Sequence, residues 1–269
     1  VAPLMAIIPI SFSVSPFMVF TDEMLTWPPD PDAWSLRWYK NMIGNCSADV
    51  VSSTVPCSDK WVTGTINSFF IGFVATFIAT ALGTLAALGL SRPHMPYKGL
   101  IMAILISPMI VPLIITAAGM FFFYARINLV YSFTGIILAH VALATPFVVI
   151  TVTATLVGFD MNMVKASQSL GAKPLRTFFK IIMPLILPGV ISGALFAFIT
   201  SFDEVVIVMF MASLDQLTIP KQMWAGIRQE ISPVILCMAT CLVVLSIFLL
   251  TTVELLRRRS EKLRGITAR

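Results

Sequence analysis

The chain is 269 residues long, 58% hydrophobic and only 12% charged, with a formal net charge of +5. Soluble domains carry about 25% charged residues, so this composition excludes an ordinary soluble domain and points to a single all-α polytopic membrane domain. The excess positive charge falls in loops between apolar runs rather than on one polar face, which argues against a nucleic-acid partner.

Val1–Phe20 is apolar and carries Pro3, Pro9 and Pro16. It has no Met or basic flank at its start, as a signal peptide would require. It reads as a first membrane helix, 1–20, that begins before residue 1. The polar segment 21–61 follows, with Trp27, Trp34, Trp38, Tyr39 and Trp61, an aromatic content suited to a membrane–water interface. Pro28, Pro29 and Pro31 exclude a regular helix there. Cys46 and Cys57 share this loop. In an oxidising compartment they could pair as a disulfide; otherwise they are two free thiols.

Ile66–Leu90 is 25 residues without a charge, enough to cross a bilayer with some tilt. Its helix is placed at 62–91. The next spans are placed at 99–124, with Pro108 and Pro112 predicting a kink or local unwinding, and at 130–158, with His140 and Pro146 inside. After a polar loop, 159–183, come spans at 181–212 and 233–257, then the tail 257–269. This makes six spans in total.

Positive charge orients them. The turn after the second span holds Arg92 and Lys98, the 159–183 loop holds Lys165, Lys173, Arg176 and Lys180, and the tail holds a further six bases. The opposite side holds only Arg37, Lys40, Lys60, Arg126, Lys221 and Arg228. The first group is therefore cytoplasmic, as are both termini.

No GxxxxGK[ST], GxSxG, HExxH or CxxC motif is present, and the chain has two histidines. The sequence therefore points to no catalytic or metal site. The 159–183 loop is the distinctive feature. Asn162–Leu170 reads as a short helix closed by Gly171, which suits the left-handed position that ends a helix. Leu175, Phe178, Phe179, Ile182 and Leu185 then recur at helical spacing among cations. The pattern is a short helix, a turn and an amphipathic helix entering the membrane. It fits a knob for a soluble partner or a plain interfacial loop.

This segment resembles the EAA loop of ABC-importer permeases, whose pattern is E-A-A, three residues, Gly, nine residues, I-x-L-P. Lys165-Ala166-Ser167 occupy the first positions, Gly171 and Ile181 fall at the expected spacing, and Met183-Pro184 closes the pattern. Lys165, Ser167 and Met183 depart from it. Trp38-Tyr39, Leu143-Ala144-Thr145-Pro146-Phe147, Gly158-Phe159-Asp160 and Ser201-Phe202-Asp203-Glu204 further resemble the polyamine-type branch, which includes the second permease of spermidine/putrescine importers.

The resemblance implies a type I importer fold in a bacterial inner membrane. It also implies a heterodimer with a second permease, two ATPase subunits and an extracytoplasmic solute-binding protein. Lys165, Ala166, Ser167, Leu170, Gly171 and Ala172 would meet the ATPase. ATP and Mg would bind that partner, and no cofactor would bind this chain.

Asp203 and Glu204 are the only adjacent acids in an apolar span. Carboxylates in hydrocarbon are costly, so they face a water-filled path, a partner or a helix end. One of the two is expected to line a substrate path, with the Ser201 hydroxyl beside it. An inter-subunit ion pair or a helix cap is the alternative. Trp38 could hold an ammonium by cation–π attraction or anchor the interface. His140, Cys237 and Cys241 read as packing residues. Met109 follows Ser107-Pro108 where polyamine-type permeases often carry an acid, which keeps an opine or amino-acid-derived substrate open. An ion-coupled secondary transporter, with Asp203, Glu204 and His140 as a proton relay, is the rival mechanism.

Overall fold

The computed structural model describes residues 2–27, 30–44, 59–92, 94–157, 162–229 and 232–263. They form α1 (Ala2–Ser11), α2 (Asp22–Leu25), α3 (Arg37–Met42), α4 (Lys60–Leu90), α5 (Lys98–Ile110), α6 (Leu113–Arg126), α7 (Phe133–Val157), α8 (Asn162–Ser169), α9 (Pro174–Phe202), α10 (Val206–Met211), α11 (Ile219–Gln229) and α12 (Val234–Leu263). Among the described residues the only β pairing is an isolated antiparallel bridge between Ser13 and Trp34.

Helices α4, α7 and α9 are each long and apolar enough to cross a membrane. The α5–α6 pair passes the same test together, but bends by 102°. Of the kink or local unwinding expected in the span 99–124, the structure shows the second, a break between the two helices. The cause is local: a residue before proline is pushed out of helical geometry, and Val111 takes φ −70°, ψ 136° ahead of Pro112. The expected helix 1–20 also stops early, at Ser11. Beyond it the backbone bonds to a neighbouring segment instead, with Ser35 N–H donating to the Phe12 carbonyl at 2.7 Å and Val14 N–H to Ala33 at 3.2 Å. In α12 the apolar stretch is Val234–Phe248.

The chain divides into two compact units, Val1–Val62 with Met223–Arg269, and Thr63–Gln222. In the first, α1 and α3 both pack on α12. In the second, the most extensive packing is α7 against α9. It depends on small residues that let backbones approach. Val148 of α7 lies between Gly83 of α4 and Gly193 of α9, where a methyl group would come 2.6 Å from Val148 Cβ and 3.0 Å from Val148 Cα respectively.

Helix α9 enters through a π-helical turn at Phe178–Ile182. Pro184 has no N–H to offer the carbonyl four residues back, and the wider turn accommodates that loss.

Candidate functional site

Two places carry the polar chemistry of the second unit: the break after α9 and the loop holding α8. The first was expected to be continuous helix over 181–212. Instead α9 ends at Phe202 and α10 begins at Val206. The acid pair accounts for the break. Two carboxylates oppose the negative end of a helix and suit the positive start of the next one.

Glu204 takes that second role. It is 5% exposed, and its Oε1 accepts the Ile207 N–H at 2.8 Å, satisfying a donor that the first turn of α10 would otherwise leave unpaired. Asp203, at the end of α9, is exposed. Ser201 is buried, with its Oγ 2.8 Å from His140 Nδ1. Of Ser201, Asp203 and Glu204, the structure therefore leaves only Asp203 presenting an uncommitted polar group.

Trp38 lies in the other unit and is 0% exposed. Its Nε1 donates to the Ser13 carbonyl at 3.0 Å, and the Arg37 guanidinium stands 4.5 Å over its ring. The ring already holds a cation from its own chain. Neighbouring Tyr39 exchanges a 2.8 Å hydrogen bond with Ser11, and burial raises its phenol above the usual tyrosine range. Cys46 and Cys57 lie outside the described residues.

Sequence reasoning missed a set of bonds that fasten the segment following α10. Asn67 Nδ2 donates to the carbonyls of Asp215 and Leu217, each at 2.9 Å. Ser68 Oγ accepts the Ile219 N–H at 2.8 Å. Gln216 Nε2 donates to the Tyr131 carbonyl at 2.9 Å, and Tyr131 N–H to that of Met211 at 2.9 Å. Lys221 Nζ donates to the Ala212 carbonyl at 3.2 Å, a cation at the C-terminal end of α10. Burial holds Lys221 below the ordinary lysine range. No local sequence signal marks these pairs, because Asn67 and Leu217 are 150 residues apart.

The second place is a complete helix stop. The Ala172 N–H donates to Ser167 at 3.1 Å and the Gly171 N–H to Gln168 at 2.9 Å, which is the Schellman pairing. Gly171 has φ +76° with open space around its Cα, so its backbone conformation, not crowding, selects glycine. Ser167 Oγ lies 2.6 Å from Thr177 Oγ1, both buried, and this clasp joins α8 to the first turn of α9. Lys165, Ala166 and Gly171 are exposed and Ala172 is half-buried. Leu170 is 87% exposed. The loop thus presents a cationic and apolar outer surface on a locally fixed frame.

Residues 79–262 match the family described as binding-protein-dependent transport system inner membrane component. The chain belongs to that family. It is 30% identical over 228 residues to the spermidine/putrescine transport system permease protein PotC of Haemophilus influenzae, covering 85% of this chain and 84% of that protein. It is 29% identical over 215 residues to the putrescine transport system permease protein PotI of Escherichia coli K12, covering 77% and 72% respectively.

Among solved structures, a bacterial ABC transporter involved in the import of the acidic polysaccharide alginate aligns with TM-score 0.68 at 14% identity, over 94% of this chain and 89% of that one. An inward-facing MetNI methionine ABC transporter aligns with TM-score 0.60 at 18% identity, over 80% and 100%. These two alignments support the fold. Both the acidic break and the α8 loop lie within the family match. The protein is a multi-pass inner-membrane transport component.

Proposed function

We propose that this chain is one of two permease subunits of an ATP-driven importer, and that it moves a small cationic, polyamine-like solute delivered by an extracytoplasmic binding protein. The observation that carries the coupling half of this reading is the α8 knob, an exposed helix locked by the Gly171 stop and the Ser167–Thr177 clasp. A knob fixed in this way transmits a push from a soluble ATPase into α9, with which it is continuous through residues 170–173. ATP and Mg belong to that ATPase. This reading keeps the six spans expected from the sequence, and the distribution of basic residues supports placing both termini and the knob in the cytoplasm.

The substrate half rests on the relatives named for spermidine and putrescine and on Asp203. That carboxylate is exposed at the break after α9 while its neighbour Glu204 is spent on a cap. A carboxylate facing a water-filled path attracts an alkyl ammonium. Met109 marks a second reading. It follows Ser107-Pro108 and is exposed, which leaves that position neutral and favours a substrate with fewer charges, such as an amino-acid derivative.

Uptake of radiolabelled putrescine and spermidine into cells carrying the whole system tests the mechanism. Transport is expected to stop on ATP depletion and to survive an uncoupler while ATP is maintained. The reverse pattern identifies an ion-coupled transporter. Competition by an excess of each unlabelled amine tests the substrate class.

A further inference from the structure

The α8 loop carries a charge pattern that specifies its partner. From Asn162 to Lys180 the sequence holds Lys165, Lys173, Arg176 and Lys180 and no acid. All four cations are exposed. Among the described residues, none of them meets a carboxylate. Three apolar side chains stand largely exposed among them: Leu170 at 87%, Leu175 at 73% and Phe179, edge-to-face with Phe178, at 62%.

Lys165 is set apart from the other three. It sits on α8, beyond the Gly171 turn, whereas Lys173, Arg176 and Lys180 lie at the start of α9 where the chain enters the membrane. Basic residues at a membrane entry are accounted for by lipid headgroups and topology. Lys165 has no such account. Its helix reads NMVKASQS, with no aromatic residue and, apart from Met163 and Val164, only Leu170 just past its end, too little to hold an apolar face in a lipid interface. The Schellman stop and the buried Ser167–Thr177 clasp fix its orientation without any partner.

We infer that the ATPase groove receiving this loop is apolar at its floor and acidic at its rim, with a carboxylate placed to meet Lys165 Nζ. This rests on the reading that the loop meets an ATPase. Leu170 is the apolar anchor, five residues on from Lys165 at the end of α8, and Lys165 sets which groove is accepted. Exposed ion pairs add little affinity, whereas like charges forced together across an interface exclude a partner. Lys165 therefore acts mainly in selection. A groove presenting a base at that point is refused.

The test uses the complete importer in inner-membrane vesicles. A water-soluble carbodiimide joins a lysine amine to a carboxylate within contact distance, and mass spectrometry maps the join. In parallel, a photoreactive benzophenone side chain at position 170 reports any protein seated on the loop. The expected result is a carbodiimide link from Lys165 to an Asp or Glu of the ATPase, together with photocapture of the ATPase from position 170. Lys165→Glu should lower ATP-driven uptake by about tenfold, and Lys165→Arg should leave it within about twofold.

Photocapture without a Lys165 link, or full uptake by Lys165→Glu, overturns the acidic rim and leaves the docking reading intact. Failure of photocapture as well overturns the docking reading itself.

Discussion

The α8 knob and the acidic break use polar groups in opposite ways. The knob is held by short-range bonds, none longer in sequence than the ten residues from Ser167 to Thr177, and it turns its cations outward. The break has one local bond, Glu204 to Ile207, but around it and along the segment after α10 the bonds cross the fold, from Ser201 to His140 over 61 residues and from Asn67 to Leu217 over 150, and most of the polar groups turn inward. A frame closed by local bonds keeps its shape when a partner arrives or leaves, so its exposed groups are free to be read from outside. A frame closed by distant bonds instead reports the arrangement of the helices around it. The two regions are therefore suited to docking and to shaping a path, and substitutions in each should fail differently.

The largest expected effect is at the one carboxylate the break leaves free. Asp203→Asn should lower uptake of a cationic substrate about tenfold or more, the loss of roughly 1.4 kcal/mol of attraction, with no change in the amount of assembled complex. Normal uptake by this variant would remove Asp203 from the path. Gly171→Val comes next, because a β-branched residue at φ +76° is strained by about 1–3 kcal/mol. It should uncouple ATP hydrolysis from uptake while the membrane helices keep their thermal stability. Equal hydrolysis and uptake to the parent protein would show that the stop is dispensable.

Smaller effects separate the two frames more finely. Ser167→Ala leaves the Thr177 hydroxyl buried without its partner, at a cost of about 1–3 kcal/mol. It should weaken coupling less than Gly171→Val does, and restoring the hydroxyl with Ser167→Thr should recover part of the loss. Glu204→Gln should be the mildest, since an amide oxygen still accepts the Ile207 N–H. Glu204→Ala removes the cap and should lower the melting temperature of the purified complex, by the equivalent of about 1 kcal/mol. A drop in uptake by Glu204→Gln as large as that of Asp203→Asn would mean that Glu204 contacts substrate after all.

What could be read from the residues follows the same division. Gly171 as a helix stop and the disruption near Pro112 were legible, because both depend on backbone preferences of a residue and its immediate neighbours. The different fates of Asp203 and Glu204 were not. Treated as one helix over 181–212 they differ only by a 100° step, and the distinction appears once one helix ends at Phe202 and the next begins at Val206, leaving Asp203 at the end of the first and Glu204 beside the start of the second. Trp38 was misleading for a related reason. Its aromatic surroundings suit an interface, yet Arg37 and the Ser13 carbonyl occupy it, and the second of these is 25 residues away. The lacing of residues 213–219 to α4 left no trace, since Asn67 and Ser68 are unremarkable polar residues in an apolar run.

Hydrogen-exchange mass spectrometry on the purified permease pair, with and without its ATPase, tests the contrast most directly. Local opening sets exchange rates segment by segment. The account predicts that residues 162–172 gain protection when the ATPase is present, while residues 206–219, already closed by bonds within the chain, exchange at the same rate in both samples. Unchanged exchange over 162–172, in a sample shown to contain bound ATPase, would contradict it.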